Sequence, residues 1–299
     1  MEFFHGTNID FIGKRIYYFI FTILLFVVAV GAFIQRRGPV LGIEFTGGTL
    51  LQVGFKELPP IDTIRGALTK EGWEGFGLQT QPVTKSIVVR VKSGNRSKDD
   101  ISASLLGILK NQFPGNVKDH PDRVDFIGPV IGKKLIMNTL FAILGSLGGI
   151  MIYVAIRFKN WIWGFSGVLA LAHDVFISWG LLTLLNRETT LVTVAALLTL
   201  AGYSINDTIV VFDRVRETLR TSRKETMKEL YNRAINETLG RTINTSLTVF
   251  VTSLCLLFLG GDVLRDFSLI MAFGTFIGTY SSVAVALSLV YELENRKKR

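Results

Sequence analysis

One cysteine and three histidines among 299 residues leave little room for thiol or metal chemistry. Cys255 has no partner in the chain, which excludes an internal disulfide, and its apolar neighbours make it a small packing residue. So few sulfur and imidazole ligands assemble no metal cluster, and no metal is expected. Charge is also scarce: 19% of the residues are Asp, Glu, Lys or Arg, against about 25% in an ordinary soluble domain. No nucleophile elbow occurs. The nearest thing to a phosphate-binding loop, "GPVIGKK" at 128–134, has its glycines one residue too close and a lysine where Ser or Thr is needed. Neither a cofactor nor an enzymatic activity is expected. Any energy the chain uses would come from a membrane gradient, where one charge crossing 100 mV is worth about 2.3 kcal/mol.

What the chain has instead is long apolar runs. A membrane helix needs about 20 mostly apolar residues. Six stretches qualify, at 16–34, 135–156, 161–185, 189–212, 242–261 and 266–291. The first is too long for a signal-peptide core and is followed by "QRRG", with no small-residue cleavage pattern, so it reads as a retained span. The net charge of +9 could suggest nucleic acid, but its distribution argues against it. With the N-terminus inside, the inner segments hold Lys14, Arg15, Arg157, Lys159, eight basic residues in 213–241 and four in the terminal "NRKKR". The two short outer loops hold Arg187 and Arg265 alone. That bias sets both termini on the cytoplasmic side, and no nucleic-acid partner is expected.

The organisation that follows is a cytoplasmic N-terminus and first span (1–34), an outer polar domain (35–130), a five-helix bundle (131–291) and a basic tail (292–299). In the polar domain, "LLQVGF", "GLQTQPV", "SIVVRVK" and "DRVDFIGPV" read as strands. "PIDTIRGALTKEG" opens with a Pro-Ile-Asp helix start and spaces Ile61, Ile64 and Leu68 helically. "SKDDISASLLGILKNQF" gathers Ile101, Leu105, Ile108 and Leu109 on one face. The βαββαβ order predicts a small ferredoxin-like α+β domain between the first two spans. The charged stretch 213–241 reads as an amphipathic helix on the membrane surface. Gly145 with Gly149, and Gly274 with Gly278, are spaced for close helix packing.

Polar residues within the spans carry the functional argument, because an ionisable group in mid-bilayer costs on the order of 3 kcal/mol. Asp207 stands near the inner end of the fourth span, with Tyr203 and Ser204 one turn before it and Asn206 beside it. One reading is a carboxyl that takes and releases a proton, balanced between desolvation and a nearby cation; the other is a structural bond between helices. Arg241, at the mouth of the fifth span, is followed on one helical face by Asn244, Thr245, Thr248 and Thr252. Such a stripe serves either a hydrated proton path or tight packing against a neighbour, and Arg241 itself either pairs with Asp207 or snorkels to the headgroups. His173 and Asp174 lie in the third span, pointing about 100° apart. Asp174 is the better relay candidate, on a small-residue face with Gly167, Ala170 and Ser178. Asp213 and Arg214 read as a solvated helix end.

Several strings resemble the SecF family of bacterial protein-export subunits, relatives of the RND transporters: "GIEFTGGTLLQV" (42–53), "FIGPVIGKKL" (126–135), "ALAHDV" (170–175), "GYSINDTIVVFDRVRE" (202–217) and "INETLGRTINTSLT" (235–248). Glu44 stands where that family has aspartate. The resemblance implies an inner-membrane protein with six spans, half of an RND-like core whose other half is SecD. It implies association with the SecYEG channel and YajC, and use of the proton or sodium gradient to draw a preprotein outward after SecA has pushed it. It also implies a proton-conducting role for Asp207 and Arg241. Two rival readings are a stand-alone efflux or lipid transporter, which would need a homodimer, and a scaffold whose polar residues only pack helices.

Overall fold

The computed structural model describes residues 7–91, 97–222 and 224–297. Arg223 and the last two basic residues of the tail, Lys298 and Arg299, lie outside them. The chain divides into two compact units, one of the residues up to Val40 together with Leu140 onward, the other of Leu41–Thr139.

The smaller unit alternates β1 (Gly48–Gly54), α2 (Ile61–Lys70), β2 (Gly77–Gln81), β3 (Ser86–Val91), α3 (Lys98–Gln112) and β4 (Arg123–Ile127), where α1 is the helix Arg15–Gln35 before it. The strands lie in the order β2-β3-β1-β4 and every neighbouring pair is antiparallel. Alternation sorts the side chains: Leu51 and Val53 share a face with Ile87, Val89 and Val91, and all are buried. Ile64 and Leu68 from α2 and Ile101, Leu105 and Leu109 from α3 complete that core. Fully burying such a side chain is worth about 1.5–3 kcal/mol, so this pattern alone fixes which helix faces meet the sheet. Ile61 and Ile108, read onto the same faces, are only partly buried. Ser97 caps α3 by accepting the Asp100 N–H at 3.1 Å. The paired glycines of "FTGG" end a one-turn helix, Ile43–Thr46, with φ of 69° at Gly47 and 137° at Gly48, values a side chain would strain.

The larger unit is helical. It holds α1, most of α4 (Pro129–Phe158), α5 (Trp161–Leu184), α6 (Leu191–Thr221), α7 (Met227–Leu259) and a last helix. That last helix runs as α8 (Gly261–Ser281), a π-helical turn (Ser282–Leu287) and α9 (Ser288–Lys297). Among the described residues, six helices are long and apolar enough to cross a membrane. They are unequal: 56% of the apolar stretch of α5 and of α6, and 72% of that of the last helix, is buried, against 6% for α4 and 17% for α7. The inner helices therefore form the core, and α4 and α7 present most of their surface outward.

Two expectations are corrected here. Among the described residues of 213–241 there is no separate surface helix. α6 runs on to Thr221, and α7 begins at Met227, where Thr226 and Glu229 form a reciprocal capping box. The charged stretch is the overhanging ends of two spans. Cys255 is exposed on α7 and is not a packing residue within this chain.

The glycine pairs also divide. A Cβ on Gly274 would lie 2.2 Å from Leu200, and one on Gly278 would lie 3.0 Å from the Ser204 hydroxyl, so α8 packs closely on α6. A Cβ on Gly145 or Gly149 would meet nothing within 4 Å, because α4 turns that face outward.

Candidate functional site

Two buried carboxylates are held by hydroxyl groups on neighbouring helices. Asp207 is 2% exposed. Its Oδ2 accepts from Ser246 Oγ of α7 at 3.1 Å. Ser246 in turn accepts from Tyr203 of α6 at 3.3 Å and from Thr279 of α8 at 2.6 Å. One serine thus joins three helices at the acid. Asp174 of α5 is fully buried. Its Oδ2 accepts from Ser204 of α6 at 2.6 Å and Ser281 of α8 at 2.7 Å, and its Oδ1 lies 2.9 Å from His173 Nδ1. His173 Nε2 is buried without a partner among the described residues. Ser281 is the residue before the π-helical turn, a local widening that recurs at functional sites. A buried carboxylate needs its lone pairs satisfied, and here donors from other helices satisfy them.

Of the residues singled out in the sequence, Asp207 and Asp174 are buried in the bundle, while Asn206, Arg241 and Thr245 do not join them. Arg241 is exposed, and among the described residues it makes no direct ion pair with Asp207. Thr245 bonds the Arg241 carbonyl at 2.5 Å, Thr248 bonds that of Thr245 and Thr252 that of Thr248. Their hydroxyls serve their own helix, and Asn244, Thr248 and Thr252 face outward with Arg241. Asn206 is exposed on α6. Ser204, placed by spacing beside Asp207, bonds Asp174 instead. Gly167 lies against Ile205 and Phe212 of α6, while the Ser178 hydroxyl is buried without a partner among the described residues. Asp213 pairs with Arg157 at 2.9 Å, and Arg214 with Glu217 and Glu237.

Spacing missed Ser246, Thr279 and Ser281. A signal exists in "GTYSS" (278–282), a run of small hydroxyl residues beside a closely packed glycine. Among the described residues no group of three or more His, Cys, Asp or Glu could hold a metal.

Fold and site together define a polytopic helical membrane protein in which two buried carboxylates, Asp174 and Asp207, have no directly bonded cation from Arg or Lys among the described residues. Comparison with known proteins makes this more specific. Residues 109–296 match the family described as "Protein export membrane protein SecD/SecF, C-terminal", and residues 36–57 match the "SecD/SecF GG Motif". The chain is 39% identical to the protein translocase subunit SecF of Endomicrobium trichonymphae, covering 98% of this chain and 93% of that one. It is 38% identical to the SecF of Calditerrivibrio nitroreducens, covering 99% and 97%. The crystal structure of SecDF from Thermus thermophilus superposes with a TM-score of 0.88 at 38% identity, over 97% of this chain and 39% of that longer one. This chain belongs to the SecD/SecF family of protein-export membrane proteins, on its SecF side.

Proposed function

We propose that this chain is the SecF subunit of a bacterial protein translocase and that Asp207 couples an ion gradient to its movement. The reading rests on one observation: a carboxylate in the core of a membrane bundle is bonded through Ser246 to three helices at once. Intramembrane carboxylates are costly and usually serve ion pathways. Protonation removes the charge that Ser246 stabilises, so the arrangement of α6, α7 and α8 about that serine changes with the proton. An element with two arrangements, biased by one protonation, suffices as a switch. Asp174 supplies a second carboxyl in the same core.

Arg241 and Asn206 take a different place in this scheme from a direct pair with Asp207. They stand on outward faces of α7 and α6, with Asn244 and Thr248. Such faces suit a second membrane half, and a relative in which both halves are one chain, the Thermus SecDF, supports SecD as the source of it. The β2-β3-β1-β4 antiparallel sheet with two helices on one face supports a ferredoxin-like domain. We place that domain outside the bacterial cytoplasmic membrane and both termini inside, on the charge bias of the loops. SecYEG, YajC and the emerging preprotein complete the assembly, with SecA acting from the inner side.

The test is preprotein export into inverted membrane vesicles under an imposed ΔpH or ΔpNa. Asp207→Asn is expected to assemble normally yet lose gradient-dependent stimulation. Undiminished stimulation would remove the coupling role. Loss with one ion and not the other identifies which ion is used.

A further inference from the structure

α7 has three faces, and the third is apolar. One packs inward through Thr242 and Ser246, and the outward polar one carries Arg241 and Thr248. The third borders a groove of about 540 Å³ between α1, α7 and α8, lined by Phe11, Tyr18, Leu247, Phe250, Phe276 and Ala284 among others. Ser246 and Thr279, the hydroxyl pair beside Asp207, also stand in its wall.

We infer that this groove is a lipid site, occupied by one acyl chain of an anionic phospholipid. Three observations carry this. The enclosing helices are membrane spans, so the surrounding medium is hydrocarbon, and an apolar hollow of this size left empty would forfeit the dispersion contacts of its whole lining. Its wall is mostly aliphatic and aromatic and is open, with Phe276 69% and Leu247 54% exposed. A cation stands between two lining residues in the sequence: exposed Lys14, at the N-cap of α1, is three residues after Phe11 and four before Tyr18, both of which line the groove. An ammonium at a membrane surface attracts an anionic headgroup. The bound chain packs against the turns that hold Asp207, so whatever moves α7 must also move the lipid. This inference rests on the spans and not on Asp207's coupling role, and its test reads lipid contact rather than export.

The full chain, in nanodiscs of phosphatidylethanolamine and phosphatidylglycerol whose acyl chains carry a photoreactive diazirine, is irradiated, and labelled peptides are mapped by mass spectrometry. Leu247, Phe250 and Phe276 are expected to label several-fold more than Phe141 and Ile152, which are 65% and 59% exposed on α4. Ala284→Trp, which fills the groove, is expected to abolish the excess. Should that variant not fold, Leu247→Trp at the mouth gives the same reading. Lys14→Gln is expected to remove the preference for phosphatidylglycerol over phosphatidylethanolamine. Thr275, in the groove wall, has a buried hydroxyl with no partner among the described residues, so an acyl occupant predicts that Thr275→Val keeps or raises the labelling. Labelling that only follows exposure overturns the site. Loss of labelling in Thr275→Val overturns the acyl assignment in favour of a polar occupant or water, and protection by a bound SecD half overturns it in favour of a protein interface.

Discussion

Ser246 decides how Asp207 is held. It lies on the same helix as Arg241, yet the hydroxyl reaches the acid and the guanidinium makes no direct bond to it. Ser246→Ala leaves a buried carboxylate without its donor, a loss of about 1–3 kcal/mol. The expected outcome is a lower denaturation midpoint at neutral pH and a smaller deficit in acid, where the carboxyl is neutral; equal midpoints at both pH values would mean that Ser246 does not support the charged form. The acids were legible in the sequence because a carboxylate in an apolar run stands out on cost alone. The hydroxyls were not. In a membrane helix a Ser or Thr can satisfy itself on the carbonyl four residues back, as Thr245 and Thr252 do, and nothing local says which hydroxyl will turn to a neighbouring helix instead.

At the scale of elements, spans and strands followed from periodicity, while helix ends and packing partners depended on contacts distant in sequence. Four glycines shared one spacing, but only Gly274 and Gly278 pack tightly. Another glycine meets a neighbouring helix at its backbone: a Cβ on Gly180 of α5 would lie 2.5 Å from the Cβ and 2.9 Å from the Cα of Ala29 in α1. Backbone cannot rotate aside, so Gly180→Ala should cost about 1–3 kcal/mol in a denaturation series, while Gly145→Ala is neutral or slightly favourable; similar values for both would show that α1 does not pack as described. The segment before α1 is tied down in a way spacing could not reveal. Ile12 N–H donates to Asn232, and Ile9 N–H to Asn236, one turn apart on α7, while Lys228 and Asn232 both donate to Asp10. The Lys228 ammonium, with the Gly13 N–H, holds the Asp10 carboxyl at about 2, below its ordinary 3.8. A carboxyl lowered by folding adds stability that is complete above the ordinary value and lost as pH falls through about 2. Asp10→Asn should therefore speed amide exchange at Ile9 and Ile12 at neutral pH, with the difference from the parent fading only below about pH 4. A difference unchanged in acid would mean that the carboxylate's charge is not what anchors the segment.

Across the whole molecule, three spans form a core and others show it their flanks. α4, with 6% of its apolar stretch buried, and α7, with 17%, present surface that a single bundle does not use, as fits a chain matching 39% of the longer SecDF. The inner helices carry both acids and most of the hydroxyls that hold them, and the outer ones carry exposed Arg241 and Cys255. Coupling in such an assembly requires that Asp207 change its protonation while the bundle stays folded. Infrared difference spectroscopy of the reconstituted chain, stepped between alkaline and acid buffer, reads that change as a protonated-carboxyl stretch. The account predicts a band that appears on acidification, vanishes in Asp207→Asn and survives in Asp174→Asn. A spectrum identical in Asp207→Asn and the parent would contradict it.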